Sequence, residues 1–179
     1  MLLSDTDNRL VGLGGMTETM APNQKDKLGF EGYLNFKVAA LPELLPDAGY
    51  HTYMTGKWHL GLEKETSPSA RGFEKSFVLL NDDGGHLSDL ALSAGLNSTV
   101  YRERKNKVQL SEDFYSTRFY AEKMIQYIDS NLDDDKLFFS YLAFTAHHWS
   151  LQAPEDLIKS IKVNMMKGMK IYLSVDYRH

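Results

Sequence analysis

Two short polar segments of the chain carry residue types that can do chemistry. In the first, Lys57 and His59 lie two residues apart, and Gly56 and Gly61 bracket them. A lysine supplies a compact positive charge for an oxyanion, and a histidine can donate a hydrogen bond or move a proton near neutral pH. Glycines let the backbone approach a ligand closely. The pattern fits an anion site, although a Lys-x-His pair taken alone is more often part of a surface turn.

The second segment follows the most apolar stretch of the chain. His147 and His148 follow the apolar residues 137–144 after two small residues, Thr145 and Ala146. Of two adjacent histidines, one is usually exposed and the other hydrogen-bonded. The functional interpretation is an acid/base group or an anion ligand. Neither segment is specific by itself.

Strands are predicted directly before both polar segments. His51–Met54 has the pattern of a short strand, and residues 137–144 have that of a strand buried on both faces, as in a parallel sheet. Loops at the carboxyl ends of strands are common ligand sites in α/β sheets. Both polar segments are therefore at positions where an α/β protein often binds its ligand.

Helices are predicted around these strands. Residues 41–45 start a helix that Pro46 makes short or kinked, and residues 112–132 have the strongest helical pattern. A further helix starts at Pro154, whereas residues 1–36 are rich in glycine and predict loops. A helix followed by a buried strand is typical of α/β folds. The apolar face predicted for the 112–132 helix consists of Phe114, Ala121, Ile125, Ile128 and Leu132, with Tyr120, Met124 and Tyr127 on the adjoining face.

The composition is that of one globular domain. The 179 residues are 42% apolar and 25% charged, carry a net charge of −4, and include no cysteine. These values exclude a disordered or collagen-like chain and a strongly basic nucleic-acid surface. The absence of cysteine excludes disulfides, thiolate zinc sites and a cysteine nucleophile within these residues. The longest apolar run, 137–144, is too short to span a membrane, and residues 1–8 do not have the pattern of a secretory signal.

With their flanks, the polar segments resemble the sulfatase family. Residues 49–61, Gly-Tyr-His-Thr-Tyr-Met-Thr-Gly-Lys-Trp-His-Leu-Gly, closely resemble the second signature of that family. Residues 41–45, 71–73 and 138–154 resemble the matching parts of arylsulfatases and occur in the same order. The resemblance covers most of residues 1–160.

The resemblance implies an α/β fold with a mostly parallel sheet flanked by helices. It describes a partial alkaline-phosphatase-like sulfatase domain over residues 1–179, incomplete at both ends, with residues 161–179 as a divergent tail. It also implies hydrolysis of sulfate esters. In the full-length family a formylglycine hydrate, made from a cysteine or a serine, does this beside a calcium ion.

Three residues inherit a role from the resemblance. Lys57 matches the lysine that holds the sulfate, and His59 matches the histidine that hydrogen-bonds the formylglycine hydroxyl and helps to release sulfate. His148 matches the histidine that contacts the sulfate and the leaving oxygen. His147 stands where the family usually has proline and is interpreted as a neighbour of the site.

Other parts of the family site have no match in these residues. The segment from Met1 resembles the helix that directly follows the family's Cys-x-Pro-x-Arg nucleophile motif. The nucleophile, its arginine, the calcium ligands and a second sulfate lysine are therefore expected to lie outside the 179 residues. Two acidic runs, Asp82-Asp83 and Asp133–Asp135, are not expected to bind metal, because such runs are usually solvated.

The functional prediction is an arylsulfatase-type hydrolase fragment that does not turn over alone. A phosphatase or phosphonate hydrolase of the same superfamily is one alternative, since residue types do not distinguish sulfate from phosphate. A non-catalytic, truncated anion-binding remnant is the other. The expected partner is a sulfate-ester small molecule or a sulfated glycan, with no nucleic acid and no membrane span. Localisation stays open: the chain shows no signal, and members of the family are often secreted, periplasmic or lysosomal.

Overall fold

A five-stranded sheet forms the centre of the computed structural model, which describes residues 2–88, 99–149 and 151–164. In chain order the strands are β1 (His51–Lys57), β2 (Lys75–Leu79), β3 (Tyr101–Glu103), β4 (Asn106–Lys107) and β5 (Phe138–Ala143). Their order across the sheet is β4-β3-β2-β1-β5. The sheet is mixed: β1 is parallel to β2 and β5, while β3 is antiparallel to β2 and β4.

The three longest strands are parallel, as the sequence predicts for the core of the sheet. The antiparallel part comes from β3 and β4, a tight hairpin that continues the sheet beyond β2. Arg104 in its turn has a positive φ of 53°. Two-strand hairpins close with such turns, so this edge needs no helical crossover.

The interior strand β1 is longer than predicted and reaches Lys57. Its first six residues are buried because β2 and β5 pair with both of its edges and apolar side chains pack on its faces. Gly56 is paired with Ala143 of β5 and has a φ of 114°. A Cβ atom at this position would lie 1.9 Å from the Ala143 carbonyl oxygen, so only glycine fits here. The pairing of Gly56 with Ala143 keeps the ends of β1 and β5 side by side.

The prediction that residues 137–144 form a strand buried on both faces is half wrong. The strand exists as β5, but it alternates between exposed and partly buried residues, and Phe138 is 45% exposed. The reason is its position at the edge of the described sheet, where β1 is its one strand neighbour. A continuous apolar run therefore does not distinguish a central strand from an edge strand.

The described residues form three α-helices, α1 (Leu41–Leu44), α2 (Ser116–Asp129) and α3 (Glu155–Asn164). The prediction of a short first helix is confirmed: α1 ends before Pro46, and a 3₁₀ turn at Pro46–Ala48 follows. Gly49 then reverses the chain with a φ of 83°. The helix predicted to start at Pro154 is α3.

The face predicted for helix α2 is buried only in part. Phe114 is buried and Ile128 packs against the same cluster, whereas Ile125 is 57% exposed. The adjoining face, with Tyr120, Met124 and Tyr127, packs on the sheet. Aromatic rings of β1, β2 and β3 form the other side of this contact. Tyr120 and Tyr127 suit this contact because their rings pack on the aromatic rings of the sheet and their hydroxyl groups donate hydrogen bonds to Tyr101 and Glu103. The cluster consists of Tyr53, Phe77, Leu79, Tyr101, Phe114, Tyr120, Met124 and Tyr127.

Residues 2–40 contain turns and no helix or strand, in agreement with the predicted loops. They cover the opposite face of the sheet, where Val11 and Leu34 pack with Met54 and Val78. Such a loop-rich layer needs fixed partners for its backbone groups.

Arg71 supplies several of those partners. Its guanidinium is fully buried and donates to the carbonyl oxygens of Leu34, Asn35 and Val38 at 2.6–2.8 Å. Its Nε and Nη2 atoms donate to the two carboxylate oxygens of Glu43 in α1 at 2.8 and 3.1 Å. This planar group therefore joins the loop layer to the first helix.

No helix in the described ranges is long and apolar enough to cross a membrane. The predicted divergent tail, residues 161–179, begins inside α3, and its part beyond Asn164 lies outside the described residues.

Candidate anion-binding site

The predicted site residues lie at the end of the sheet where β1, β2 and β5 have their carboxyl termini. Lys57 is the last residue of β1, His59 follows it, and His148 follows β5. Because β1 and β5 are parallel neighbours, their carboxyl ends lie side by side.

Local packing explains how the 57–59 segment presents its polar groups. Trp58 is buried, and its Nε1 atom donates to the Thr66 carbonyl at 2.9 Å. Its backbone N–H donates to the Leu79 carbonyl at 2.8 Å. His59 has a left-handed backbone with a φ of 50°. With the indole anchored in the core, Lys57 and His59 both reach the same polar group outside it.

That group is the carboxylate of Asp82, in the turn after β2. Its Oδ1 atom lies 2.9 Å from Lys57 Nζ and 3.3 Å from His59 Nδ1. The three side chains are between 16% and 30% exposed, so the contacts are partly shielded from water. One carboxylate oxygen is thus held by a lysine and an imidazole together.

Electrostatics agrees with this geometry. Burial acts to raise the pKa of Asp82, but the hydrogen bond from Lys57 and the positive charges of Lys57, His59 and His148 outweigh it and lower the pKa. The ionised carboxylate is therefore the favoured form.

His148 itself is exposed and held by its backbone surroundings. Its Nδ1 atom donates to the Trp149 carbonyl at 2.7 Å, which assigns the proton of the neutral ring to Nδ1 and leaves Nε2 for other partners. Its backbone N–H donates to the Thr145 carbonyl at 2.8 Å. His147, next to it, is also exposed.

His86 is a polar residue of this region that the sequence did not single out. It is buried, its Nε2 atom donates to the His148 carbonyl at 3.3 Å, and its Nδ1 atom accepts from Ser116 Oγ at 3.0 Å. Its backbone N–H donates to Gln152 Oε1 at 2.8 Å. His86 therefore links the turn after β2 and the start of α2 to the segment that carries His148. No local pattern distinguishes it from an exposed histidine in the sequence.

Glu18 completes the surroundings of His59. Its Oε2 atom lies 3.2 Å from His59 Nε2, so each ring nitrogen faces a different carboxylate. Glu18 comes from the loop layer, far away in the sequence, and no spacing pattern pointed to it. For Asp82, the sequence predicts only that it does not bind metal. No sequence pattern predicts its contact with Lys57.

Glu18, His59 and Asp82 offer three ligand atoms within 4.8 Å of one another. This group does not fit calcium, which takes six to eight oxygen ligands. Here two carboxylates approach opposite nitrogens of one imidazole, and Asp82 is already paired with Lys57. The arrangement is that of an imidazole hydrogen-bonded to Glu18, with the carboxylate of Asp82 close to its other nitrogen.

The second acidic run has a different role. Asp134 Oδ2 lies 2.5 Å from His51 Nε2 at the amino end of β1, the end opposite to the site.

A cavity of about 970 Å³ also exists among the N-terminal turns, between Thr17 and Tyr33. Its lining includes none of the three predicted site residues.

Solved structures share this fold. Ps i-CgsB in complex with k-i-k-neocarrahexaose superposes with a TM-score of 0.64 at 22% identity, over 75% of this chain and 32% of the other. A protein solved with its substrate D-glucosamine-2-N,6-O-disulfate gives a TM-score of 0.53 at 24% identity, over 75% and 24% of the two chains. At this identity the similarity establishes a shared fold.

Curated relatives are similar in sequence. An uncharacterized sulfatase of Schizosaccharomyces pombe is 42% identical over 94% of this chain and 32% of its own length. The arylsulfatase of Klebsiella aerogenes is 35% identical over 94% and 36%. Mouse arylsulfatase J is 36% identical over 65% and 20%. The chain thus spans about a third of the length of the first two relatives. The family model described as Sulfatase matches residues 2–167, and the chain belongs to the sulfatase family.

Proposed function

We propose that this chain forms the sulfate-binding and leaving-group side of an arylsulfatase-type active site. The observation that carries the proposal is the pair of contacts from Lys57 and His59 to one carboxylate oxygen, at 2.9 and 3.3 Å. Donors that hold one oxyanion are of the type that a sulfate group needs. The sulfatase family match supports sulfate esters as the substrates.

Lys57 binds a sulfuryl oxygen in this proposal. A cation aimed at the sulfuryl group offsets the charge that develops there during hydrolysis. The partial burial of the Lys57 ammonium strengthens this effect, because its side chain is only 20% exposed.

His148 protonates the leaving oxygen. Its Nδ1 proton is engaged by the Trp149 carbonyl, so Nε2 is the atom that can carry and deliver a second proton. His86 holds the backbone of this segment through the His148 carbonyl. His59 keeps the role that the resemblance implies, a hydrogen bond to the hydroxyl of the family's nucleophile.

Sulfatases generally use a formylglycine and a divalent metal, which supply the nucleophile and an electrophilic centre. The chain has no cysteine, and the one three-residue ligand group in its described part does not fit calcium. By the resemblance, we expect the nucleophile and the metal ligands to lie outside these 179 residues. We therefore expect the chain alone to bind sulfate esters without hydrolysing them.

The substrate class is a small aryl sulfate or a sulfated sugar. Relatives named arylsulfatase and N-acetylgalactosamine-6-sulfatase support these two chemistries. The solved structures with neocarrahexaose and glucosamine disulfate support the sulfated sugar.

Calorimetric titration of the 179-residue chain with 4-nitrophenyl sulfate tests the proposal. Lys57→Ala and His148→Ala should each weaken binding, Lys57→Ala by about tenfold, the equivalent of one charged hydrogen bond. Lys105→Ala is the matched control: Lys105 is exposed in the β3–β4 turn, beside the start of β2 and away from the site. Equal affinity in all four proteins would refute the proposal.

A further inference from the structure

We infer that Asp82 is a specificity-determining residue: its carboxylate is an internal anion that competes with the ester for Lys57 and His59 and disfavours a dianion more than a monoanion. This inference rests on the proposed function, because it assumes that the ester binds where the two residues converge. It concerns which anion the site accepts.

The position of Asp82 is the first observation. It lies in the turn directly after β2, the strand parallel to β1, so the sheet itself sets its carboxylate beside the end of β1. Its Oδ1 atom accepts a hydrogen bond from Lys57 Nζ and lies 3.3 Å from His59 Nδ1. An ester oxygen can take these donors only if Asp82 gives up at least part of this contact.

The charge balance is the second observation. Two carboxylates, Glu18 and Asp82, flank the ring of His59. The cationic groups are Lys57, His59 and His148, and the last two are positive only when protonated. The two carboxylates leave this group of side chains with little net positive charge beside Lys57, so a second negative charge on the ligand is disfavoured.

Sulfate and phosphate esters differ in this property. A sulfate monoester carries one negative charge, whereas a phosphate monoester approaches two above its second pKa of about 6. The repulsion from the Asp82 carboxylate is proportional to the ligand charge. Asp82 therefore lowers the affinity for both esters and lowers it more for phosphate, although the two groups have the same tetrahedral shape.

The test compares 4-nitrophenyl sulfate with 4-nitrophenyl phosphate, which share their leaving group. Both are titrated at pH 7.5 into the wild-type chain, Asp82→Asn and the control Asp133→Asn. Asp133 is exposed in the 3₁₀ turn before β5, at the opposite end of the sheet, so its substitution makes the same charge change away from the site.

Asp82→Asn should bind the sulfate ester about tenfold more tightly and the phosphate ester about a hundredfold more tightly, as expected for one and two charge repulsions of this order. Asp133→Asn should match the wild type for both. Asp82→Ala, checked for folding by circular dichroism, should show the same tighter binding of both esters, although its side chain has no amide that could bind them. In the wild type, the ester should also shift the Asp82 carboxyl ¹³C resonance, a readout that needs no variant.

The outcomes distinguish a failure of the inference about Asp82 from a failure of the proposed function. If Asp82→Asn binds both esters as the wild type does, or more weakly, while Lys57→Ala still weakens binding, the inference is wrong and the proposed function stands. If neither the wild type nor Asp82→Asn binds an ester, the proposed function fails as well. An unchanged Asp82 resonance in an ester-saturated wild type would also overturn the inference.

Discussion

Lys57 Nζ lies 2.9 Å from Asp82 Oδ1, across the carboxyl ends of two parallel strands. Lys57 ends β1 and Asp82 follows β2, so the register of the sheet fixes their approach. Partial burial makes the contact stronger than an exposed ion pair. The pKa of Asp82 therefore shows whether the Lys57–Asp82 pair is formed before any ligand binds.

Removing the lysine should raise the pKa of Asp82. Burial, the largest influence on this carboxyl, raises its pKa and is outweighed by Lys57 and the two histidines, so Lys57→Met removes the main opposing cause. A carboxyl ¹³C titration by NMR should give a higher midpoint in Lys57→Met, with Lys105→Met unchanged. Since the folded pKa is lowered, the stability that Asp82 contributes is present above its ordinary value of 3.8 and is lost as the pH falls through the folded pKa. An unchanged midpoint would show that the pair does not form.

Replacing Gly56 by alanine should be strongly destabilising. The new Cβ would lie 1.9 Å from the Ala143 carbonyl, and the φ of 114° is unfavourable for any other residue. We expect a loss of at least about 3 kcal/mol of unfolding free energy, from strain and forced backbone movement. Gly49→Ala is the control, because Gly49 also has a positive φ of 83° but open space around it. It should lose only about 1 kcal/mol in urea denaturation. Equal losses would contradict the close approach of β1 and β5.

Arg71→Lys should cost much of the stability despite keeping the charge. A lysine cannot bridge Glu43 and the three carbonyl groups, which leaves buried acceptors unpaired. We expect a loss of about 3–5 kcal/mol in denaturant unfolding. Arg118→Lys, on the exposed side of α2, should change stability by less than about 0.5 kcal/mol. Similar values for both variants would refute the anchoring role.

His51 should make stability depend on pH near neutrality. Its ring nitrogens face Asp134 at 2.5 Å and Glu74 at 2.6 Å, and hydrogen bonds to these two carboxylates raise the pKa of His51. Its contribution is complete below the ordinary pKa of 6.5 and is lost as the pH rises through the raised folded value. The hydrogen bond from His51 lowers the pKa of Asp134, so that contribution is lost as the pH falls through the lowered value.

The stability difference between wild type and His51→Gln should therefore be largest between about pH 4 and 6.5. Denaturant unfolding across pH 3–9 measures it. His147→Gln, an exposed histidine, should follow the wild-type curve. A difference that does not change with pH would show that His51 is held neutral.

The sequence identified the family and several elements of the fold, but not the whole sheet. Strands at β1 and β5, the short helix before Pro46 and the helix from Pro154 were predicted from local patterns, and the family from residues 49–61 and 138–154. The buried face of α2 was predicted only in part: helical spacing fits both Ile125 and Tyr120, and the aromatic partners on the sheet decide between them.

The site was predicted only in part, for a similar reason. Lys57, His59 and His148 have type and spacing that the family resemblance identifies, and their roles stay predictions. Asp82 and Glu18 meet His59 only through the sheet register and the fold of the loop layer. Contacts between distant segments leave no periodicity in the sequence, so no pattern could have identified these two carboxylates.

A crystal structure of the chain with 4-nitrophenyl sulfate would show directly where the ester binds. We expect the sulfuryl group within hydrogen-bond distance of Lys57 Nζ, with the leaving oxygen facing His148 Nε2 and the Lys57–Asp82 contact lengthened from 2.9 Å. An ester bound elsewhere, with Lys57 still paired to Asp82, would contradict this expectation.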